Sequence, residues 1–268
     1  MLERIFFLFS ALLISFGCAK KPYQKTNNSY RKQVKGIARM MKQYPLKDSA
    51  NNAPFFAGTT NFSVRRPNYV IIHHTAQNSC EQTLRTFTIP RTQVSAHYVV
   101  CREGTVFHML NDLLRAQHAG VSRWGNNTDL NSSSIGIEVD NNGSEPFTEA
   151  QINSLLYLLA RLKKQYLIPQ ANFLGHADVA PGRKVDPSRL FPWELLAQKG
   201  YGYWYDTAKL AVPDNFNPIQ ALRIIGYPVK DTTWAIQSYK IHFKPQDSSK
   251  SLQASDHRIL FDLMRKYQ

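Results

Sequence analysis

The sequence predicts an α/β domain followed by a small unit made only of helices. Short β-branched or apolar runs bounded by turn residues are typical of buried strands, and several occur before Val212. One longer segment in the same part has apolar residues at helical spacing. Past a composition shift near Val212-Pro213, about 55 residues contain helical patterns without strand patterns.

Five segments are predicted to form the strands of the first domain. The first is β-branched throughout its centre, which is typical of a buried strand. Glu103-Gly104 lies between the second and third segments and favours a hairpin turn. The fifth is short and runs into a loop with Pro181, Gly182 and Pro187. In chain order the segments are Tyr69–His73, Ser95–Cys101, Thr105–Leu110, Ile135–Val139 and Phe173–His176.

Capping chemistry marks the clearest helix of this domain. Thr148-Glu-Ala-Gln151 has the pattern of a capping box, in which two side chains bond to the free backbone groups of the first turn. The helix is expected to end before Ile168-Pro169. Its apolar stripe consists of Ile152, Leu155, Leu156, Leu159 and Leu162.

Three further helices are predicted in the terminal unit, at Pro218–Ile225, Thr233–Phe243 and Ser255–Tyr267. Their apolar side chains could form one small core. The candidates for that core are Leu222, Ile225, Trp234, Ile236, Phe243, Ile259, Leu260 and Leu263.

The charge of the chain points to an anionic partner. Its 268 residues include 33 Lys and Arg against 19 Asp and Glu, a net charge of +14. Nucleic acid, an acidic membrane face or an acidic polymer would each fit. Residues 19–49 alone hold nine basic residues and one acid, a net charge of +8. No helix-turn-helix, finger or stacking motif accompanies the charge, so we expect no nucleic-acid binding.

The N-terminus has the features of an export signal. Ile5–Gly17 is an apolar run of thirteen residues, shorter than the roughly 20 that a spanning helix needs and typical of a signal peptide. It ends in Ser15-Phe-Gly-Cys18, which resembles a bacterial lipoprotein cleavage box with Cys18 as the lipidated residue. An ordinary secretory signal with a chance Cys is the alternative. We therefore expect a signal peptide at 1–17 and a basic, solvated tether at 18–52.

Two cysteines remain if Cys18 carries lipid. Cys80 and Cys101 could pair in an exported chain. They could equally be two small buried hydrophobic residues, since Cys101 closes an apolar run. The sequence leaves both possibilities open.

Six of the eight histidines lie between positions 73 and 176, which suggests a site. His73 and His176 each stand at the end of a predicted strand, and Asp178 and Asp186 follow on a loop. Catalytic zinc needs three protein ligands and an open position, and two such His with a loop Asp would provide them. A structural core histidine is still the usual explanation for any single one. Glu138 is an acid in an apolar strand, so its side chain faces away from those of its neighbours.

Five motifs, quoted at the end of this paragraph, occur in the order that is typical of one enzyme family. Together they resemble the zinc-dependent N-acetylmuramoyl-L-alanine amidases of the amidase-2 type, which are related to peptidoglycan recognition proteins. Within that family, the chain is most similar to the lipoproteins of the bacterial envelope. The resemblance extends from about residue 52 to 204 and into the tail. The motifs are Val70-Ile-Ile-His-His-Thr-Ala76, Ser95-Ala-His-Tyr98, Gln117-His-Ala-Gly120, Ser134-Ile-Gly-Ile-Glu138 and His176-Ala-Asp-Val-Ala-Pro-Gly-Arg-Lys-Val-Asp-Pro187.

The resemblance implies a fold and a role for individual residues. The fold is a mixed central β-sheet flanked by helices, followed by a small three-helix domain. The implied zinc ligands are His73, His176 and Asp186. Glu138 matches the acid that activates water, and Lys184 matches the residue that faces the developing oxyanion.

His74, His97 and His118 are further candidates for substrate binding, and the last two match family positions near the groove. His74 stands where the related lipoproteins more often carry Tyr, and packing is its alternative role. For His97 and His118, substrate contact and structural support are both open. His108, His242 and His257 receive no role.

The implied activity is hydrolysis of the amide between N-acetylmuramic acid and L-alanine in peptidoglycan or muropeptides. A non-catalytic peptidoglycan-binding protein of the same fold is the alternative. The catalytic domain is expected at 53–211. A helical unit at 212–268 would bind glycan peptides or brace the first domain. We expect a monomer, lipid-anchored in the bacterial envelope, at the outer membrane facing the periplasm.

Overall fold

The computed structural model describes residues 22–42, 66–208 and 210–268. The expected signal peptide and Cys18 lie outside the described residues. The described residues fall into two compact units, one with the first helix and one that begins at residue 66.

The first helix, α1 (Gln24–Met41), occupies a stretch that the sequence predicts as a solvated tether. None of its residues is buried. Tyr30, Val34, Ile37 and Met41 nevertheless follow helical spacing, and strong helix formers such as Lys, Arg, Gln and Met surround them. The prediction missed this helix because the apolar stripe is narrow and most of the other residues are polar. Among the described helices, none has both the length and the apolar content to cross a membrane.

A five-stranded mixed sheet forms the centre of the second unit, as the fold class predicts. Its order is β3-β2-β4-β1-β5, in which only β2 and β3 pair antiparallel. Gly104 adopts a φ of +90° in the turn between these two, which is the predicted hairpin. The strands are β1 (Tyr69–His74), β2 (Tyr98–Val100), β3 (Val106–His108), β4 (Ser134–Val139) and β5 (Phe173–Gly175).

Eight helices complete this unit. The predicted capping box forms at Thr148 and Gln151, where α4 begins, and the three terminal helices start within one residue of their predicted positions. The sequence did not predict α2, α3, α5 and α6, all of them nine residues or shorter, and α5 begins at His176, which was predicted to end the fifth strand. The helices are α2 (Cys80–Thr88), α3 (Leu130–Ser133), α4 (Glu149–Tyr166), α5 (His176–Val179), α6 (Trp193–Gln198), α7 (Pro218–Ile225), α8 (Thr232–Phe243) and α9 (Ala254–Tyr267).

Each face of the sheet has its own core. Val70 and Ile72 of β1 pack in the core that contains α4, whereas Ile71 between them points to the opposite face. There it joins Leu174 and the apolar side chains of α7, α8 and α9. The terminal helices therefore share one core with the second face of the sheet.

One residue of the predicted terminal core has a different position. Trp234 is 37% exposed, while the other predicted members are buried. Its ring lies against Gly182, where any Cβ would overlap it. Trp234 thus contacts the loop that leads to Asp186 rather than the centre of the helices.

Cys80 and Cys101 form a disulfide, which is one of the two alternatives that the sequence left open. They are not two separate buried thiols. Their Cα atoms are 5.3 Å apart, within the usual range for a disulfide. The bond joins the start of α2 to the residue that follows β2.

Candidate active site

Three adjacent parallel strands bring the predicted site residues to one edge of the sheet. In the pairing of β1 with β4, His73 lies opposite Glu138. In the pairing of β1 with β5, Ile72 lies opposite Gly175, the residue before His176. The three side chains thus stand in a row at the carboxyl ends of the strands, the usual place for a ligand in an open α/β sheet.

His73, His176 and Asp186 form a buried cluster that could hold a metal ion. The Oδ2 atom of Asp186 is 3.2 Å from Nδ1 of His73 and 3.1 Å from Nδ1 of His176. Asp186 reaches this position from a loop that a backbone hydrogen bond closes, from the Ala177 N–H to the Asp186 carbonyl at 2.7 Å. The loop, rather than a strand, therefore fixes the third candidate ligand.

A chain of hydrogen bonds determines which nitrogen of His73 carries the proton. The Ser134 hydroxyl donates to the Leu130 carbonyl, so toward His118 it can only accept. His118 then donates from Nε2 to Ser134 at 3.2 Å and accepts at Nδ1 from Nε2–H of His73 at 3.1 Å. This leaves Nδ1 of His73 unprotonated and aimed at the cluster.

His176 reaches the same state through a backbone carbonyl. Its Nε2 lies 3.1 Å from the Ala119 carbonyl oxygen, which can only accept, so Nε2 carries the proton. Arg183 approaches the same nitrogen at 3.3 Å, and its guanidinium donates to that carbonyl as well. The Arg183 contact is the longer of the two and its guanidinium already donates to the Ala119 carbonyl, so the shorter contact assigns the proton to Nε2 and the lone pair to Nδ1 of His176.

The donor set fits a zinc ion. Two unprotonated imidazole nitrogens and one carboxylate oxygen converge without a proton between them, and a cation would remove their mutual repulsion. Burial, with His176 nearby, lowers the pKa of His73 to about 4, so the ring is neutral at pH 7. Two His and one carboxylate are typical ligands of catalytic zinc, and partners like His118 typically orient them.

Glu138 has the environment of a catalytic acid or base. Its Oε2 atom is buried and has no hydrogen-bond partner among the described residues. Burial raises its pKa well above the ordinary value, the charge of Asp186 raises it further, and Lys184 opposes both. A carboxyl group with a raised pKa next to a metal site can both take up and release a proton near neutral pH.

Lys184 is half-buried on the loop before Asp186. Its positive charge lowers the pKa of both Glu138 and His73. Lys184 is the residue that the family resemblance matches to the group facing the developing oxyanion.

The other predicted histidines have structural contacts. His97 is fully buried, accepts at Nδ1 from the Gly136 N–H, and donates from Nε2 to the Leu114 carbonyl, both at 3.0 Å. His74 accepts at Nδ1 from the Ser188 N–H at 3.0 Å. Together with the bond from His118 to His73, these contacts favour support over substrate binding for all three.

Gly136 and Ser134 belong to the site although no individual role was predicted for either. A Cβ on Gly136 would overlap the ring of His118, so only glycine leaves that ring in place beside His73. A glycine inside a β-branched strand was the available signal, because it often marks a close approach. The hydrogen bond of Ser134 depends on the tertiary fold and left no signal in the sequence.

Comparisons with known proteins agree with this geometry. Residues 63–189 match the family model described as Amidase_2, N-acetylmuramoyl-L-alanine amidase. The chain is 29% identical to the N-acetylmuramoyl-L-alanine amidase AmiD of Escherichia coli, with 99% of each chain aligned.

Two solved structures extend the likeness to the fold. One is a complex of AmiD from E. coli with anhydro-N-acetylmuramic acid-L-Ala-D-gamma-Glu-L-Lys. It is 31% identical, has a TM-score of 0.68, and the match covers 78% of this chain and 93% of that one. The other is AmpDh3 from Pseudomonas aeruginosa, at 27% identity and a TM-score of 0.70, covering 83% of this chain and 99% of that one.

Proposed function

This chain belongs to the N-acetylmuramoyl-L-alanine amidase family, and we infer that it hydrolyses the amide between N-acetylmuramic acid and L-alanine in peptidoglycan or muropeptides. The observation that carries the inference is the row formed by Glu138, His73 and His176 at one sheet edge, completed by Asp186. Because the candidate ligands and the acid are present together, a catalytic role is favoured over binding alone.

We propose zinc as the metal, held by His73, His176 and Asp186. Two imidazoles and a carboxylate support this choice. When bound, zinc would polarise the substrate carbonyl and lower the pKa of a water toward about 7.

The residues of the chain divide the remaining chemistry. Glu138 takes a proton from the water that attacks the lactyl carbonyl carbon, and it then delivers a proton to the amine of L-alanine as the C–N bond breaks. Lys184 faces the carbonyl oxygen and stabilises its negative charge. The products are a free muramyl carboxylate and a peptide that begins with L-alanine.

Mass spectrometry of muropeptide digests tests this reaction. The full chain should release peptides that begin with L-alanine, and a chelator such as 1,10-phenanthroline should abolish the release. Asp186→Ala should lose both bound zinc and activity. Binding of muropeptides without release of peptide would instead support the non-catalytic alternative.

We also propose that the chain is a lipoprotein of the bacterial envelope, anchored at Cys18 in the outer membrane and facing the periplasm. The apolar run before Cys18 supports export, and the disulfide fits an oxidising compartment. The basic surface of α1 would be attracted to anionic headgroups. Labelling with a radioactive fatty acid should mark the wild type and not Cys18→Ser, and equal labelling of both would contradict the proposal.

The chain is further proposed to act as a monomer, with a catalytic domain at 53–211 and a helical unit at 212–268. Light scattering coupled to size exclusion should give the mass of one chain. A mass of two chains would overturn the first part of this proposal.

A further inference from the structure

Asp178 links the candidate metal loop to the C-terminal helices. It lies two residues after His176 and is 1% exposed. Its Oδ2 accepts from the Gly175 N–H at 2.7 Å and from Nδ1 of His242 at 2.8 Å, and its Oδ1 accepts from the Tyr227 hydroxyl at 2.8 Å. One carboxylate therefore joins the backbone just before His176 to Tyr227, in the segment between α7 and α8, and to His242 on α8.

His242 is itself held in a fixed orientation. It lies on α8, is 4% exposed, and stacks on Trp193 with ring centroids 4.0 Å apart. Phe243 stacks on it at 4.2 Å. A ring held this way keeps Nδ1 aimed at Asp178, so the position of α8 is transmitted to the residue beside His176.

The same helix and the segment that follows it hold the other end of the metal loop. Arg189, three residues after Asp186, donates from Nη1 to carbonyl oxygens of the last turn of α8 and of the residues after it, the nearest being that of Asp247 at 2.9 Å. The others are those of Pro245, Lys240 and Lys244, at 3.3 to 3.5 Å. Trp234, also on α8, covers Gly182 in the middle of the loop. Helix α8 and the segment after it thus contact the loop near both candidate ligands and between them.

Apolar packing alone does not explain these contacts. A buried carboxylate with three donors is costly to desolvate, and apolar residues of similar volume often stabilise such a place equally well or better. A polar network of this kind fixes one geometry, because each donor has a required direction. The residue whose geometry it fixes is the one that precedes His176.

We propose that Tyr227, in the segment between α7 and α8, and His242 on α8 are positioning residues for the metal. Through Asp178 they hold His176 and the loop to Asp186 in the arrangement that binds the ion. The inference rests on the proposed function only in that it assumes a metal at this cluster. It assigns the terminal helices a role in metal binding, whether or not they also contact glycan.

Zinc affinity of full-length variants, measured by competition with a chromogenic chelator, tests the proposal. Tyr227→Phe removes one donor to Asp178 and keeps the ring, and His242→Phe keeps the stack with Trp193. Both should weaken zinc binding by about tenfold, the lower end of what groups that orient metal ligands contribute. His242→Asn, which returns a donor near Nδ1, should recover part of the loss.

The matched control is Tyr239→Phe. Tyr239 is fully buried on α8 and donates to Asp256 at 3.1 Å, away from the loop. The Tyr239→Phe variant should lower the thermal midpoint as much as Tyr227→Phe does, and its zinc affinity should stay at the wild-type value. The absorption bands of the cobalt-substituted protein should shift in Tyr227→Phe and remain unchanged in Tyr239→Phe.

Wild-type zinc affinity in both Tyr227→Phe and His242→Phe would overturn the proposal, as would an equal loss of affinity in Tyr239→Phe. These results are separate from a failure of the proposed reaction, because the titration contains no muropeptide. A chain that binds zinc and cleaves no muropeptide would refute the reaction alone. A wild-type chain that binds no zinc would refute both.

Discussion

Glu138 and His73 illustrate how much single residues determine at this site. Both were assigned from motifs, and the parallel register of β1 and β4 sets them side by side. Their chemistry, however, depends on surroundings that come from distant parts of the chain. The packed fold buries Oε2 of Glu138, which has no hydrogen-bond partner in the described part of the chain, and the contact with His118 leaves Nδ1 of His73 unprotonated.

Replacing Glu138 with Gln should lower kcat strongly and leave zinc bound. The amide occupies the same space and cannot accept the proton, and a positioned general base typically contributes about 10²- to 10⁴-fold. We expect a loss in kcat of that size, with zinc content by elemental analysis equal to wild type. Near-normal cleavage of muropeptides by this variant would show that another group is the base.

Lys184→Ala should also lower kcat without loss of metal. A preorganised group facing the oxyanion typically contributes about 2.7–4 kcal/mol, or roughly 100- to 1,000-fold. Steady-state kinetics on a muropeptide should show this effect in kcat with little change in KM. An unchanged kcat would remove Lys184 from the catalytic set.

At the scale of elements, β4 is the strand on which the site depends most. Side chains alternate along a strand, so Ile135, Ile137 and Val139 enter the core with α4. The positions between them face the site: Ser134 fixes His118, Gly136 leaves room for its ring, and Glu138 is the acid. Slipping the strand by one residue would exchange these two sets.

Gly136→Ala tests this use of the strand. The added methyl group overlaps the ring of His118, and overpacking of this kind typically costs about 1–3 kcal/mol. The free energy of unfolding should fall by that amount, and zinc affinity should fall because His73 loses its partner. Gly36→Ala is the control, since nothing lies within 4 Å of a Cβ there, and it should leave zinc affinity unchanged. Wild-type affinity in Gly136→Ala would contradict the role given to His118.

At the scale of the whole molecule, the site places several neutral histidines in the interior. Burial lowers the pKa of His73 to about 4, and it also lowers the pKa of His74, His97 and His118. The unfolded chain binds protons at these residues near pH 6.5, where the folded chain does not. The folded state is therefore favoured above that pH and loses this advantage as the pH falls.

Metal-free protein should accordingly be less stable at pH 5 than at pH 7, because four histidines act in this direction and only the raised pKa of Glu138 among the site residues acts against it. Each histidine that is protonated only when unfolded lowers the free energy of unfolding by about 1.4 kcal/mol per pH unit. For His73 this loss extends from about pH 6.5 to its folded pKa of about 4. Urea unfolding of the chelated protein at a series of pH values should show the decline. Equal stability at pH 5 and pH 7 would contradict it.

Zinc should add stability to the same fold. An ion that binds the folded state at 100 times its Kd stabilises it by about 2.7 kcal/mol. The thermal midpoint should rise when zinc is added to the chelated protein and should not rise for Asp186→Ala. A rise of the same size in that variant would place the metal elsewhere.

The sequence by itself determined the class of fold, the five strands and the three terminal helices, because periodicity, capping and turn residues act over short stretches of chain. It also supplied the motifs for His73, Glu138, His176, Lys184 and Asp186. Only the tertiary structure decided the tautomers of the two histidines and the burial of Glu138. It alone decided the contact of His242 with Asp178, since these residues are 64 positions apart. The physical reason is that local patterns specify elements, whereas protonation, desolvation and positioning depend on which distant groups the packed fold brings within hydrogen-bond distance.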